Sequence, residues 1–316
     1  MVSQSYTTER LNSDNFRSFT EIFHASFPGN KYNDAYFVKK FDTNHSEHRF
    51  YGHVAYDKEK HQAAAYFGVF PVFAEWQGKR LLSGQSGDVA THPEHRQRGL
   101  FRILHDATLK LCKADAFDFL FAFPNANSLP GFIKAGWQTG QPIETWIKQL
   151  PTRMYIRLCR KLLPKQFAAT QQNKINQLSV EPDNSVAQLP GLAASFSGSN
   201  VRLTRSAAYL SYKNSLGSKL IRLTHGYAWV AFKGNQLLIC DLLGEQKNEL
   251  FQDLSVFATN AGFDYLVFTS NIKECNSWLQ GFGFTKRKQI ALTVQSLNTD
   301  VSAEHLMLTG GDFDNF

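Results

Sequence analysis

Several features are missing from this sequence, and each absence narrows what the chain can be. No run approaches the roughly 18 apolar residues needed to cross a bilayer, so no spanning helix is expected. The opening Met1-Val2-Ser3-Gln4-Ser5 has neither a basic region nor an apolar run, so no export signal is expected. The 4 cysteines, at 112, 159, 240 and 275, lie too far apart for a chelating or redox pair. Reduced thiols in a cytoplasmic protein are the plain expectation. His45, Glu47 and His48 have no further ligand placed near them, so no metal is expected. Ser86 lacks the Gly-x-Ser-x-Gly frame of a serine hydrolase. Neither the Gly-x-x-x-x-Gly-Lys-Ser/Thr loop nor the three-glycine dinucleotide fingerprint is present.

Positive charge is in excess, with a formal net of +7, but it is scattered. No dense block of Lys and Arg marks a nucleic-acid face, so no nucleic acid is expected. The richest stretch runs from Arg153 to Lys165 and has Met154, Ile156, Leu158, Leu162 and Leu163 between its charges. That pattern reads as a basic amphipathic helix: a solvated face first, a membrane-surface contact second and a nucleic-acid contact last.

What is present is ordinary globular composition over 316 residues, 43% apolar and 19% charged, enough for two domains. The 27 Phe and 11 Tyr favour sheet-rich cores or a ring-lined cleft. Phe16, Phe19, Phe23 and Phe27 recur at helical spacing and predict a helix over 14–27, capped by Asn12, Ser13 or Asp14 and stopped at Pro28-Gly29. A short helix over 34–40 follows, then strands over 51–56, 63–73 and 81–91. From Gly99 to Ala114 the apolar residues Leu100, Ile103, Leu104, Ala107, Leu111 and Ala114 predict a helix with one buried stripe. Phe117 to Phe123 reads as a central strand, and Ser128-Leu129-Pro130 as the start of a second helix ending at Gly136.

The second half repeats this order. Phe117-Asp118-Phe119-Leu120-Phe121-Ala122-Phe123-Pro124-Asn125 lines up with Phe263-Asp264-Tyr265-Leu266-Val267-Phe268-Thr269-Ser270-Asn271. Each is preceded by an amphipathic helix and followed by a short helix and a Gly-aromatic pair, Gly136-Trp137 or Gly283-Phe284. A hairpin round Gly234-Asn235 matches the strands upstream. Duplication accounts for the shared order. The expected division is 1–165, a polar linker over 166–200, and 201–316.

The segment Val89-Ala90-Thr91-His92-Pro93-Glu94-His95-Arg96-Gln97-Arg98-Gly99-Leu100-Phe101 passes from a strand through a tight loop into a helix. The unpaired amides and positive dipole end of such a helix can hold a pyrophosphate. The loop Arg96-Gln97-Arg98-Gly99-Leu100-Phe101 resembles the Arg/Gln-x-x-Gly-x-Gly/Ala motif of the GCN5-related N-acetyltransferase superfamily. Asn127, followed by Phe132-Ile133-Lys134-Ala135-Gly136-Trp137, is similar to that family's Asn…Tyr-x-x-x-Gly-Phe segment. The resemblance covers about residues 10–150.

The resemblance implies an α/β (α+β) fold with a mixed, V-split sheet flanked by helices, here in tandem, the second copy degenerate. It implies acetyl-CoA as acyl donor, the pyrophosphate on amides from Arg96 to Phe101 and the pantetheine along Val89, Ala90 and Thr91. Asn127 and Phe132 would lie on the CoA side. The implied reaction is direct acetyl transfer to the amine of a small molecule, with an amino sugar as the class that suits it. A protein or peptide amine, or a CoA-binding module without catalysis, are the alternatives.

Asp88 falls where the family's sheet opens and reads as a general base, a contact for a substrate ammonium, or a turn residue. His92, beside Pro93, reads as structural or CoA-contacting. Tyr66, Phe70, Glu75 and Trp76 lie on the hairpin beside the acceptor cleft, although hairpin aromatics are commonly core. Two departures stand out. Phe101 replaces a small residue, so its ring must turn from the phosphates. Phe132 stands where the family's Tyr protonates the leaving thiolate, and a phenyl ring has no proton to give. In the second half, Leu242-Leu243-Gly244-Glu245-Gln246-Lys247 aligns with the phosphate loop but has no arginine, and Glu245 replaces Gly99, so no second donor site is expected. Asp241 and Asn271 are its polar candidates near an acceptor.

Overall fold

The computed structural model describes residues 5–151, 154–196 and 200–313. Arg153 of the basic stretch lies outside them. The first half of the chain runs β1 (Tyr6–Arg10), α1 (Phe16–Ser26), α2 (Asp34–Phe41), β2 (Gly52–Asp57), β3 (Ala63–Trp76), β4 (Lys79–Thr91), α3 (Leu100–Ala114), β5 (Phe119–Ala122), α4 (Leu129–Lys134), β6 (Gln138–Thr139) and β7 (Ile143–Gln149). Next come α5 (Met154–Leu162), α6 (Pro164–Leu178), β8 (Ser179–Val180), α7 (Asn184–Ala187), α8 (Leu192–Phe196), β9 (Val201–Leu203) and α9 (Ala207–Ser215). The rest is β10 (Lys219–Leu223), β11 (Gly226–Lys233), β12 (Gln236–Leu243), α10 (Lys247–Asn260), β13 (Tyr265–Ser270), α11 (Lys273–Gly281), β14 (Thr285–Ile290) and β15 (Thr293–Ser296). No helix among the described residues is long and apolar enough to cross a membrane.

The chain divides into two units, Met1–Gln141 with Ala291–Leu306, and Pro142–Ile290 with Met307–Phe316. The first unit's sheet has the order β1-β2-β3-β4-β5-β15-β6, antiparallel throughout except for the β4–β5 pair. The second unit repeats it in reverse listing, β14-β7-β13-β12-β11-β10-β8, with β12–β13 as its parallel pair. Each sheet takes one strand from the chain segment that follows the other half. β15 sits between β5 and β6, and β7 sits between β13 and β14.

This division differs from the one expected from the sequence. The chain leaves the first unit at Gly140-Gln141-Pro142, where the Gly140 amide donates to the Leu292 carbonyl at 2.9 Å. A Cβ at Gly140 would stand 2.9 Å from the Ala303 carbonyl oxygen, so only glycine allows that approach. The segment expected as a linker is largely regular. Its Ala and Gln are good helix formers, Pro164 opens α6 as a first-turn proline, and Ile175 is buried in the second unit's core. Polarity there reflects one exposed helix side.

In the first unit α1 follows the phenylalanine pattern, burying Phe16, Phe19, Ile22 and Phe23. Phe19, Phe37 and Phe41 close around the ring of Tyr66 on β3, with Phe19–Tyr66 centroids 4.7 Å apart. On α3 the deepest row is Leu100, Leu104, Thr108 and Cys112, an i, i+4 series beside buried His105. Ile103 and Leu111, expected in the stripe, flank it half-buried. His105 explains the offset. The Trp137 indole, which can only donate, bonds its Nε2 at 2.8 Å, and its Nδ1 lies 2.8 Å from Asp106. Burial holds this imidazole below its usual pKa, against the pull of Asp106, and it joins α3 to Trp137 in the turn after α4.

Candidate functional site

The site is built where β4 outruns β5. The parallel register ends at Ser86↔Ala122, yet β4 continues to Thr91 with β3 as its one sheet neighbour. Opposite Phe67 the register shifts from Tyr66↔Ala90 to Gly68↔Gly87, leaving Asp88 and Val89 as a bulge. Asp88 takes a left-handed φ of 51°, which a short polar side chain tolerates. The sheet opens at this bulge, and Val89, Ala90 and Thr91 form the strand end beyond it. The Thr91 carbonyl accepts from the Ser26 hydroxyl at 3.0 Å and, weakly, from Arg96 Nε at 3.5 Å.

Past a short turn at Pro93–His95, the chain enters α3 through Gln97 (φ 63°) and Gly99 (φ 70°). Gly99 is the N-cap, and no side chain caps the helix. The amides of Gln97, Arg98, Gly99, Leu100 and Phe101 have no hydrogen-bond acceptor among the described residues. Successive open amides at a helix start, with no acid in its first turn, form an anion cradle. The Leu100 side chain is core, so only its amide faces the cradle. Phe101 turns its ring into Phe67, His105 and Phe132, with centroids 5.6, 5.9 and 5.3 Å away, leaving the helix end clear as the sequence required.

The two arginines differ. Arg96 is exposed beside β4, whereas Arg98 donates to the Tyr6 hydroxyl at 2.9 Å. That hydroxyl also meets His95 Nδ1 at 3.0 Å, which ties the loop to β1. Burial keeps His95 below its usual pKa, with Asp57 opposing, and its Nε2 has no partner among the described residues. His92, Glu94 and His95 bring ligand-type atoms within 4.8 Å of one another. His92 Nδ1 accepts the Glu94 amide, and Glu94 pairs with Lys60, so these groups already serve the turn.

Asn125 accepts the amides of Asn127 and Ser128 and so shapes the turn after β5, while Asn127 is exposed. Phe132 is 3% exposed, edge-on to Trp137. Tyr66 and Phe70 are core; Glu75 and Trp76 are half-exposed, and Trp76 lies against His305.

Sequence reasoning missed Lys40, and it named Tyr66 and Ser86 without the roles their surroundings suggest. Lys40, wholly buried on α2, meets Asp88 Oδ2 at 2.6 Å. Tyr66 presents a buried phenol without a hydrogen-bond partner, its pKa raised first by burial and then by the Asp88 charge. The hydroxyl fits because residue 68 is glycine; a Cβ there would lie 1.5 Å from it. Ser86 Oγ is likewise unpartnered. A lysine inside an aromatic helix and a Tyr-Phe-Gly run in a strand were the available signals.

The second unit handles the same positions differently. The register shift between Trp229 and Val230 makes the matching bulge at Cys240. Asp241 beside it is buried, paired with Arg205 at 3.2 Å and accepting the amides of Leu192 and Leu242. Where β12 and β13 diverge, the chain's own Leu308 to Asp312 fills the gap. Ser270 bridges Thr309, the Leu308 amide bonds buried Asn271 at 2.8 Å, and a Cβ on Gly310 would lie 2.9 Å from the Ile239 carbonyl oxygen. Arg205 bonds Thr309 and Asp312, holding that segment in place. Helix α10 also carries Glu249 in its first turn. Asp241 and Asn271 are thus internal braces.

Residues 7–140 match a family model described as an acetyltransferase (GNAT) domain. Similar solved structures include a GCN5-related N-acetyltransferase from Anabaena variabilis ATCC 29413, at 17% identity and TM-score 0.61, over 93% of this chain and 73% of that one. Another, from Kribbella flavida, has 12% identity and TM-score 0.62, over 93% and 71%. A protein from Enterococcus faecalis V583, described as of unknown function and a probable N-acyltransferase, has 10% identity and TM-score 0.58, over 93% and 73%. No curated protein matches. The first unit has the GCN5-related N-acetyltransferase fold, and the structural likeness extends through the second.

Proposed function

We propose that the first unit binds acetyl-CoA along β4 and the start of α3, and transfers the acetyl group to the amine of a small molecule. The row of unpaired amides from Gln97 to Phe101, beside a strand end that lacks a second neighbour, carries the reading. Pyrophosphate would lie on those amides with Arg96 alongside, and the pantetheine would run antiparallel-like beside Val89, Ala90 and Thr91, reaching the bulge. Gln97, Gly99, Leu100 and Phe101 contribute backbone, Asn127 lies at the exposed exit of β5, and Phe132 packs the wall.

At the bulge, the amine nitrogen would attack the thioester carbonyl carbon, forming the N–C bond as the C–S bond breaks and CoA departs as thiolate. The ammonium proton must leave the nitrogen, and Asp88 is the acid-base group assigned to meet it. Its Oδ2 is held by Lys40, so the carboxylate stays oriented toward the opening and a proton reaches it only against that pair. Phe132 cannot protonate the thiolate; Tyr66 and Ser86, on the strands that meet at the bulge, carry buried hydroxyls with no hydrogen-bond partner among the described residues.

An acceptor of amino-sugar type or a peptide amine fits the same chemistry. The Lys40–Asp88 pair and Phe132 together favour one further reading, a CoA-binding module without turnover. Release of CoA thiol from acetyl-CoA across a panel of amines, with mass detection of the acylated product, separates them. Turnover with Asp88→Asn reduced by about 10²–10⁴ in kcat supports the enzyme. Micromolar CoA binding with no product from any amine leaves only the module, and no CoA binding refutes both. The plug at Leu308 to Asp312 and Glu249 favour one CoA per chain, which titration calorimetry counts.

A further inference from the structure

Helix α5 has a chemistry that acyl transfer does not use. Its residues fall into four i, i+4 rows, each running along one side of a helix. Ile156 and Arg160 form the inner row. Ile156 is 9% exposed and packs against Gly262, while Arg160 pairs with Asp264 and donates to the Gly262 carbonyl. That row fixes the helix to the second unit and decides which sides point outward.

The outward sides are apolar. Met154, Leu158 and Leu162 form one row, exposed by 87%, 54% and 64%, and Tyr155, Cys159 and Leu163 form the next. Arg157 and Lys161, both exposed, form the row on the other flank. A helix clamped on one side, apolar on the opposite side and basic along the border matches a surface lying in the headgroup region of a bilayer.

We propose that α5 docks the protein on anionic lipid surfaces, with Met154, Leu158, Leu162 and Tyr155 entering the acyl boundary and Arg157 and Lys161 meeting the headgroups. The basic row selects a lipid surface over a second copy of the chain, because two such faces meeting would bring like charges together. Nothing in this contact depends on CoA.

The full chain is mixed with sedimentable vesicles of phosphatidylcholine alone or with equal phosphatidylglycerol. Binding to the anionic vesicles is expected, lowered about a hundredfold by Leu158→Glu/Leu162→Glu, whose side chains are more than half exposed. Arg157→Gln/Lys161→Gln should lower binding to the anionic vesicles about thirtyfold and leave the neutral ones unaffected. Cys159 is exposed while Cys112, Cys240 and Cys275 are buried, so a bimane label at Cys159 should blue-shift when vesicles are added. No vesicle binding by the wild type, equal binding by the Glu variant, or a dimer that the Glu variant converts to monomer would each overturn the proposal.

Discussion

Removing the Lys40 ammonium should destabilise the first unit more than any surface change. Lys40 Nζ sits 2.6 Å from Asp88 Oδ2, with the two side chains 0% and 7% exposed, and 4.7 Å from the Phe70 ring centroid. Lys40→Met keeps the aliphatic length and deletes the charge, leaving a carboxylate in an apolar setting. Breaking a buried pair from one side costs about 3–5 kcal/mol. With a urea slope of about 2 kcal/mol/M, the unfolding midpoint should fall by about 1.5–2.5 M. Asp88→Asn strands the lysine and should cost a comparable amount. The double variant should recover about 2–3 kcal/mol relative to the sum of the singles, since neither charge is then left alone. Tryptophan fluorescence reads all four proteins. A Lys40→Met midpoint within about 0.3 M of wild type, or additive singles, would mean that the pair does not brace the bulge.

Gly99→Val should weaken CoA by about 30- to 150-fold and cost about 1–2 kcal/mol of stability, because φ is +70° there although a Cβ would meet open space. Unchanged calorimetric affinity would remove the anion cradle from the argument. Phe132→Tyr places a hydroxyl in the cluster of Phe101 and Trp137 and should cost about 1–3 kcal/mol without raising kcat; a faster enzyme would show that the thiolate lacks a donor. Burial depresses the pKa of His53, His95 and His105, so the folded state keeps them neutral while the unfolded chain protonates near pH 6.5. Their stability contribution is complete above that pH and lost as pH falls below it, so Tm should drop between pH 7.5 and 5.5. A flat Tm over that range would contradict the assignment.

Much of this was readable from the residues. The phenylalanine spacing of α1, the strand Phe119–Ala122 and the Gly99 entry to α3 are local patterns, and local patterns survive in sequence. Repetition of strand, turn and helix pointed to the second sheet, whose strand order matches the first. What stayed hidden was non-local. Nothing near Asp88 announces that its partner is Lys40, 48 positions away. Nothing in Thr293–Ser296 says which strand it pairs with. The stretch after Lys165 looked like a linker because an exposed helix and a loop share polar residues, and its few buried apolar positions, Ile175, Val186 and the pair Leu192 and Ala193, are widely spaced.

The exchanged strands bear on how the chain is made. Phe121 on β5 pairs with Val294 on β15, so as the polypeptide leaves the ribosome the first sheet stays open until residues 293–296 have been translated. The N-terminal half carries its candidate acyl-donor cradle early, yet waits with a bare edge on β5. Premature termination anywhere before Ala291 therefore yields an unfinished edge in search of a strand, and the nearest suitable one belongs to another nascent copy.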